Sequence, residues 1–198
     1  MGSSLPKRKE EHNGMERTEL FAGILLLSFA GGLSCDLALR HFLKSRKWYG
    51  VAPVAAALVA IFLSVYGFSV SAFRCILLCQ TLVMAGMVDG ATREIPDRFH
   101  LLVALVGLVG FQPLPAMCGF LLVPLPFLVA ALKTGKIGGG DVKLMAASGF
   151  TLGVCTGFKM MVYGLFVGLV WNLLFHRKRQ SLPLAPSLAV GCFMALLL

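Results

Sequence analysis

Acidic side chains carry the most chemical information in this sequence, because it has only nine Asp and Glu among 198 residues. Asp89 ends an apolar run, and Asp141 lies between three glycines and a second apolar run. A carboxylate at the end of an apolar segment is costly to place and indicates a functional site. The alternative is that both acids are ordinary interfacial residues, paired with Lys143 or Arg93.

Two carboxyl groups that share a site can perform general acid–base catalysis. One group activates a water molecule as a base, and the other protonates a leaving group as an acid. The glycines at 138–140 allow close backbone approach and positive φ angles, so they could bring Asp89 or a substrate strand near Asp141. Such a pair needs no metal and no cofactor. We expect no metal site, because the histidines lie in the tail or at loop edges (His12, His41, His100 and His176).

The composition restricts the kind of structure that positions these acids. The chain is 58% hydrophobic and 14% charged, whereas soluble domains carry about 25% charged residues. A net charge of +9 would suggest a nucleic-acid partner for a soluble protein. Here the basic residues lie between apolar runs, so we expect a lipid bilayer and no nucleic acid. The six cysteines include no Cys-x-x-Cys pair, and we expect most of them to be small buried apolar residues.

Apolar segments that approach the length of a membrane crossing occur repeatedly. A helical span takes about 20 mostly apolar residues, and helices satisfy their own backbone in lipid. The sequence therefore predicts an all-α, polytopic membrane helical bundle of about eight spans. The expected segments are 20–35, 51–70, 72–88, 98–112, 114–132, 142–156, 158–175 and 184–198.

Basic residues are concentrated in alternate loops. One set of loops, near 36–50, 89–97, 133–141 and 176–183, carries with its flanks Arg40, Lys44, Arg46, Lys47, Arg93, Arg98, Lys133, Lys136, Lys143, Arg177, Lys178 and Arg179, and the opposite set carries Arg74 and Lys159. The positive-inside rule places the first set, and with it Asp89 and Asp141, in the cytoplasm. The polar tail at 1–19, expected to be disordered, would lie outside with several basic residues, a conflict that nearly disappears if Met15 is the true start.

Three blocks around the acids resemble the type IV prepilin peptidases, a group of GxGD-class intramembrane aspartic proteases. The first block, Asp89–Asp97, has Ile-Pro-Asp six residues after its first acid, where many members have Ile-Pro-Asn. The second, Gly138–Leu144, reads GxGDxKL. The third, Pro183–Gly191, is similar to the P-x-x-P-x-L-x-x-G stretch that opens the last helix of the family. GxGD alone is a weak pattern, but three blocks in order within 72–198 make the resemblance specific.

The resemblance implies a membrane aspartic endopeptidase that removes the basic leader from prepilin-like protein substrates at the cytoplasmic membrane face. It implies that Asp89 and Asp141 are the catalytic pair. The expected substrate-binding or site-shaping residues are Glu94, Pro96, Asp97, Gly138, Gly140, Lys143, Pro183 and Pro186. Among these, the acids would suit a basic leader, and the fixed φ of Pro96 suits the first turn of the helix that follows.

The expected domains are the tail at 1–19, two spans with a basic cytoplasmic loop at 20–71, and a six-span aspartic peptidase core at 72–198. Long-form prepilin peptidases carry a cytoplasmic insert, often with paired Cys-x-x-Cys motifs, that is linked to N-methylation of the new pilin terminus. The loop at 36–50 has no cysteine pair and no room for such an insert. We therefore expect a short form that has peptidase activity and no methyltransferase activity.

Two functions of other classes stay open at this point. A small proton-coupled transporter also uses intramembrane acids, although it would more naturally hold them near the middle of the bilayer. A non-catalytic assembly protein of a pilus or secretion system would keep the fold without the chemistry, and the intact aspartates argue against it.

Overall fold

The computed structural model describes residues 22–26, 28–37, 39–41, 50–135, 138–174 and 183–198. Within these ranges the protein is helical and contains no strand. The helices are α1 (Ala22–His41), α2 (Val51–Tyr66), α3 (Val70–Thr92), α4 (Asp97–Gly107), α5 (Pro113–Leu122), α6 (Leu125–Thr134), α7 (Gly139–Leu174) and α8 (Ala185–Leu197). The tail expected at 1–19 and most of the basic loop, 42–49, lie outside the described residues.

Apolar helices account for most of the described chain. Four helical stretches within it are long and apolar enough to cross a membrane, namely α1, α3, the pair α5–α6 and α7. The shorter helices α2 and α8, of 16 and 13 residues, are also apolar. The protein is therefore a multi-pass membrane protein, and the predicted all-α bundle is confirmed. The number of crossings stays a prediction.

The helices form two compact units, Met1–Val65 and Tyr66–Leu198. In the first unit, α1 packs closely on α2, because a β-carbon added to Gly32 would lie 2.6 Å from the α-carbon of Ala52. The second unit contains α3 to α8 and both of the acids that the sequence singles out. The sequence predicts that the two N-terminal spans end at residue 71 and that the peptidase core begins at residue 72. That boundary stays a prediction, since helix packing does not test where a peptidase core begins.

Helix α7 reverses direction within its 36 residues. Gly153 has φ 75° and ψ −175°, a conformation that residues with a β-carbon rarely adopt. A β-carbon added to Gly157 would lie 3.5 Å from the α-carbon of Gly149, whereas eight residues of continuous helix advance about 12 Å. The first arm, 139–152, and the second arm, 154–174, therefore fold back on each other as a helical hairpin.

The turn of this hairpin lies four residues before the break that the sequence predicts between 142–156 and 158–175. Two hydrogen bonds join the residues just before the turn to neighbouring helices. The guanidinium of Arg74 on α3 donates a hydrogen bond to the carbonyl oxygen of Thr151, in the last turn of the first arm, where carbonyls lack partners within the helix. The Thr151 hydroxyl donates to the carbonyl oxygen of Val103 on α4 at 2.7 Å.

The second unit contains six helical segments that run in alternating directions along the chain. In order they are α3, α4, the pair α5–α6, the first arm of α7, the second arm of α7 and α8. Helix α3 runs from Arg74 towards Asp89, and the first arm runs from Asp141 towards Thr151. Arg74 contacts Thr151, and Asp89 interacts electrostatically with Asp141 at the opposite ends of the same two helices. The two helices are therefore antiparallel. Asp89 and Asp141 consequently lie at one end of the unit, and the turn at Gly153 lies at the other.

We expect Gly153→Ala to lower the free energy of unfolding by about 1–3 kcal/mol, the usual cost of a residue with a β-carbon in a disfavoured backbone conformation. The measurement is equilibrium unfolding in mixed detergent micelles. Gly90→Ala is the matched control, because a β-carbon there meets nothing within 4 Å and alanine favours the helix. Equal stability of the two variants would contradict the reversal at Gly153.

Candidate active site

Asp89 is buried, with 6% of its surface exposed, in the last turns of α3. One turn earlier, Gly86 lies against α8, and an added β-carbon would fall 2.9 Å from the α-carbon of Pro186. This close approach brings the first residue of α8 to the acid, and the backbone N–H of Ala185 donates a 3.1 Å hydrogen bond to Oδ2 of Asp89. The first N–H groups of a helix have no acceptor within it, and the helix dipole favours a negative charge there. The start of α8 therefore holds the Asp89 carboxylate in place.

The end of α3 adds a positive charge beside the same acid. The helix ends at Thr92, and Arg93 adopts a left-handed conformation with φ 59° and ψ 23°. Its backbone N–H donates to the carbonyl oxygen of Asp89 at 2.8 Å, as in helix ends capped by a left-handed residue. The Arg93 charge acts electrostatically on the Asp89 carboxyl group.

Asp141 lies in the first turn of α7 and is partly buried. Its backbone N–H donates to the carbonyl oxygen of Gly138 at 3.1 Å. A β-carbon added to Gly138 would lie 3.5 Å from Oδ2 of Asp141, so the glycine leaves open space beside the carboxylate. Asp89 and Asp141 interact electrostatically, and the structure thus brings the two acids together.

The beginning of α4 contacts the chain on both sides of Asp141. The Lys143 ammonium donates a 2.8 Å hydrogen bond to Oδ1 of Asp97. The His100 ring places Nε2 2.9 Å from the carbonyl oxygen of Gly140 and Nδ1 3.5 Å from Oδ1 of Asp97. The block that contains Ile-Pro-Asp and the block that contains GxGD are therefore joined directly.

The Lys143–Asp97 pair is exposed, with 62% of the lysine side chain and 78% of the aspartate side chain accessible. The hydrogen bond from Lys143 lowers the pKa of Asp97, and the charge of Lys143 acts in the same direction. Because solvent screens such surface pairs, this one orients the loop more than it stabilises the fold.

The other residues predicted from the first two blocks lie at the edge of this arrangement. Glu94 is exposed to solvent. Pro96 directly precedes α4 with φ −57°, one position before the first turn in which the sequence predicts it. Gly140 packs against Ile95, since an added β-carbon would lie 3.6 Å from the β-carbon of that residue.

The residues predicted from the third block lie at the start of α8. Pro186 contacts α3 at Gly86. Pro183 and Pro186 line a mostly apolar cavity of about 340 Å³ between the second arm of α7 and α8, together with Trp171 and Val190. This cavity begins at the same helix end that contacts Asp89.

Two contributions to the site were missed by reasoning from the sequence. The N–H of Ala185 is a backbone group, which no side-chain pattern reveals. His100 was assigned to a loop edge, although it is only 8% exposed, and its spacing of three residues from Asp97 on a helix was the available signal. In the described part of the chain, no cluster of three or more His, Cys, Asp or Glu side chains is placed to hold a metal ion.

Comparison with known proteins gives two kinds of match. Residues 76–176, which include both acids, match the model of the type IV leader peptidase family. The prepilin leader peptidase/N-methyltransferase of Bacillus subtilis (strain 168) is 31% identical over 151 residues, covering 67% of this chain and 58% of that protein. The protein of the same name from Neisseria gonorrhoeae is 30% identical over 139 residues, covering 64% of this chain and 49% of that protein. The chain thus spans about half to three fifths of these curated relatives. No solved structure matches it.

We expect Lys143→Gln to raise the pKa of Asp97 towards its ordinary value of 3.8, because the hydrogen bond that lowers it is lost. A carboxylate whose folded-state pKa is lowered keeps its contact above the unfolded pKa and loses it as the pH falls through the folded value. The pKa of Asp97 in the wild type and in the variant can be measured by NMR in micelles, as the pH midpoint of the chemical-shift change of its carboxyl carbon. Arg98→Gln, which removes a nearby charge but not the hydrogen bond, should leave the midpoint unchanged; equal shifts would argue against the hydrogen bond.

Proposed function

We propose that this chain, which belongs to the type IV leader peptidase family, is an aspartic endopeptidase. Its proposed reaction removes the leader from prepilin-like substrates. The observation that carries the proposal is that Asp89 and Asp141 lie at one end of the helical unit and interact electrostatically. The printed names of two relatives, each a prepilin leader peptidase/N-methyltransferase, support the substrate class.

The proposed reaction hydrolyses one peptide bond with both acids. One carboxylate accepts a proton from a water molecule, whose oxygen forms a bond to the scissile carbonyl carbon. The other carboxyl group, in its protonated form, donates its proton to the amide nitrogen as the C–N bond breaks. The N–H of Ala185 leaves the second oxygen of Asp89 for this chemistry, and Gly138 leaves room beside Asp141.

Surfaces around the acids suit the two halves of such a substrate. The apolar cavity lined by Trp171 and Val190 suits the apolar segment that follows the leader. The exposed carboxylate of Glu94 suits a basic leader. The carboxylate of Asp97 is also exposed, but it is already paired with Lys143.

We assign the end of the unit that carries the acids to the cytoplasm, and the protein to the cytoplasmic membrane. The support is the distribution of basic residues. Arg93, Arg98 and Lys143 belong to the same end as Asp89 and Asp141, whereas Arg74 lies at the end of the Gly153 turn. Cytoplasmic loops carry the excess of Lys and Arg in multi-pass proteins.

A proton-coupled transporter and a non-catalytic assembly protein gain no comparable support. The two acids lie at helix ends, where α3 finishes and α7 begins, whereas transporters usually hold their coupling sites near the bilayer midplane. An assembly role would leave unexplained why two carboxyl groups that interact electrostatically lie at one end of the unit.

Asp89→Asn and Asp141→Asn should each reduce leader removal at least about 100-fold, the lower end of the contribution of general acid–base catalysis. Both changes keep the side-chain size and remove the acid–base group. The measurement is cleavage of a co-expressed prepilin-like substrate in cells that lack another such peptidase. A double variant, Cys75→Ser with Cys79→Ser, should cleave normally because no thiol takes part. Wild-type cleavage by either asparagine variant would exclude the proposed pair.

We further propose that the chain has no methyltransferase activity. The link between α1 and α2 runs only from His41 to Val51, and its residues 42–49 lie outside the described part. A donor such as S-adenosylmethionine needs a pocket of roughly 300 Å³ or more with several polar contacts, which so short a basic link cannot readily build.

Mass spectrometry of a substrate cleaved by this protein, in a host without another prepilin peptidase, should therefore show an unmodified new N-terminus. The same substrate processed by a relative named as a methyltransferase provides the positive control. A mature chain heavier by one methyl group, dependent on this protein, would refute this part of the proposal.

A further inference from the structure

His100 is a buried imidazole that connects two segments of the site. Its residue surface is 8% exposed, and its ring lies between the Gly140 carbonyl oxygen, at 2.9 Å, and the Asp97 carboxylate, at 3.5 Å. Burying a polar group is costly unless a hydrogen bond compensates. The contact with Gly140 supplies that compensation for Nε2, whereas Nδ1, 3.5 Å from Asp97, has no hydrogen-bond partner. The Nε2 contact therefore holds the ring and the glycine segment together.

The direction of this hydrogen bond follows from chemistry. A carbonyl oxygen only accepts, so Nε2 of His100 carries the hydrogen and donates it. The accepting carbonyl belongs to the peptide bond between Gly140 and Asp141. Holding that oxygen fixes the orientation of the peptide plane that ends at the α-carbon of Asp141, and so limits where the Asp141 side chain can point.

The need for such a contact comes from the glycines at 138–140. Glycine has wider backbone freedom than any other residue, so three in succession define the position of the next residue poorly. Within the described residues, α4 and the residues just before it restrain this segment through three contacts. These are the His100 ring, the packing of Ile95 on Gly140 and the Lys143–Asp97 pair. Of these, the ring alone bonds to the peptide group of Asp141.

We infer that His100 is a positioning residue: it orients the Asp141 carboxyl group towards Asp89 by holding the Gly140 carbonyl. The inference rests on the proposed peptidase function. His100 touches neither substrate nor reacting atoms, so its effect passes through Asp141. A displacement of about 1 Å at a reacting group can cost about 100-fold in rate, which sets the scale of the expected effect.

The test compares His100→Leu with His100→Gln. Leucine fills similar space without a donor, whereas the amide nitrogen of glutamine can donate to the same carbonyl. We expect His100→Leu to lower kcat about 10- to 100-fold with KM nearly unchanged, and His100→Gln to recover most of the loss. Leu105→Ala, at an exposed position of α4, should leave both constants unchanged.

Amide hydrogen exchange of the segment 138–144 gives a readout independent of cleavage. It should be faster in His100→Leu than in the wild type, and nearly normal in His100→Gln. If the wild type does not cleave any prepilin-like substrate, the proposed function fails while exchange still tests the contact. If the wild type cleaves and His100→Leu keeps its kcat, or loses only substrate affinity, the inference is overturned. A folded His100→Gln as slow as His100→Leu also overturns it, as does unchanged exchange.

Discussion

The requirement that backbone groups in lipid find partners within the protein governs this structure. Continuous helices meet it internally, but every interruption leaves N–H or carbonyl groups that need another partner. The proposed active site is built from such interruptions. Asp89 accepts the N–H at the start of α8, which has no acceptor within its own helix. At the start of α7, the buried His100 ring donates its N–H to the Gly140 carbonyl just before Asp141. Groups that must be satisfied for stability thus also orient the acids.

The same requirement explains why the far end of the unit is also polar. At Gly153 the helix breaks to reverse direction, and Arg74 donates to the carbonyl oxygen of Thr151 next to that break. An arginine within a membrane helix is costly unless paired with a polar group. The turn and the arginine therefore depend on each other, and the pair fixes α3 against the first arm. The same alignment determines the relative position of Asp89 and Asp141, which lie at the other ends of these two helices.

Much of this arrangement could be predicted from the sequence, because it depends on composition and on rare residue types. The apolar segments between 72 and 198 correspond to the passes of the second unit, and scarce acids drew attention to Asp89 and Asp141. The position of the break in α7 could not be predicted, since both of its arms are apolar and hydropathy does not distinguish Gly153 from Gly157. The Ala185 N–H was likewise beyond prediction, because any residue there offers the same group. Only the tertiary contact between Gly86 and Pro186 brings it to Asp89.

The shortness of the helices around the acids has a consequence for the surrounding lipid. The first arm of α7 has 14 residues, α4 has 11 and α8 has 13, so they are about 21, 17 and 20 Å long. A bilayer core is about 30 Å thick. Where helices this short cross a bilayer, as the sequence predicts, the bilayer can thin locally or leave the helix ends below the lipid headgroups. Thinning of the bilayer at the end that carries Asp89 and Asp141 would let water reach both carboxyl groups.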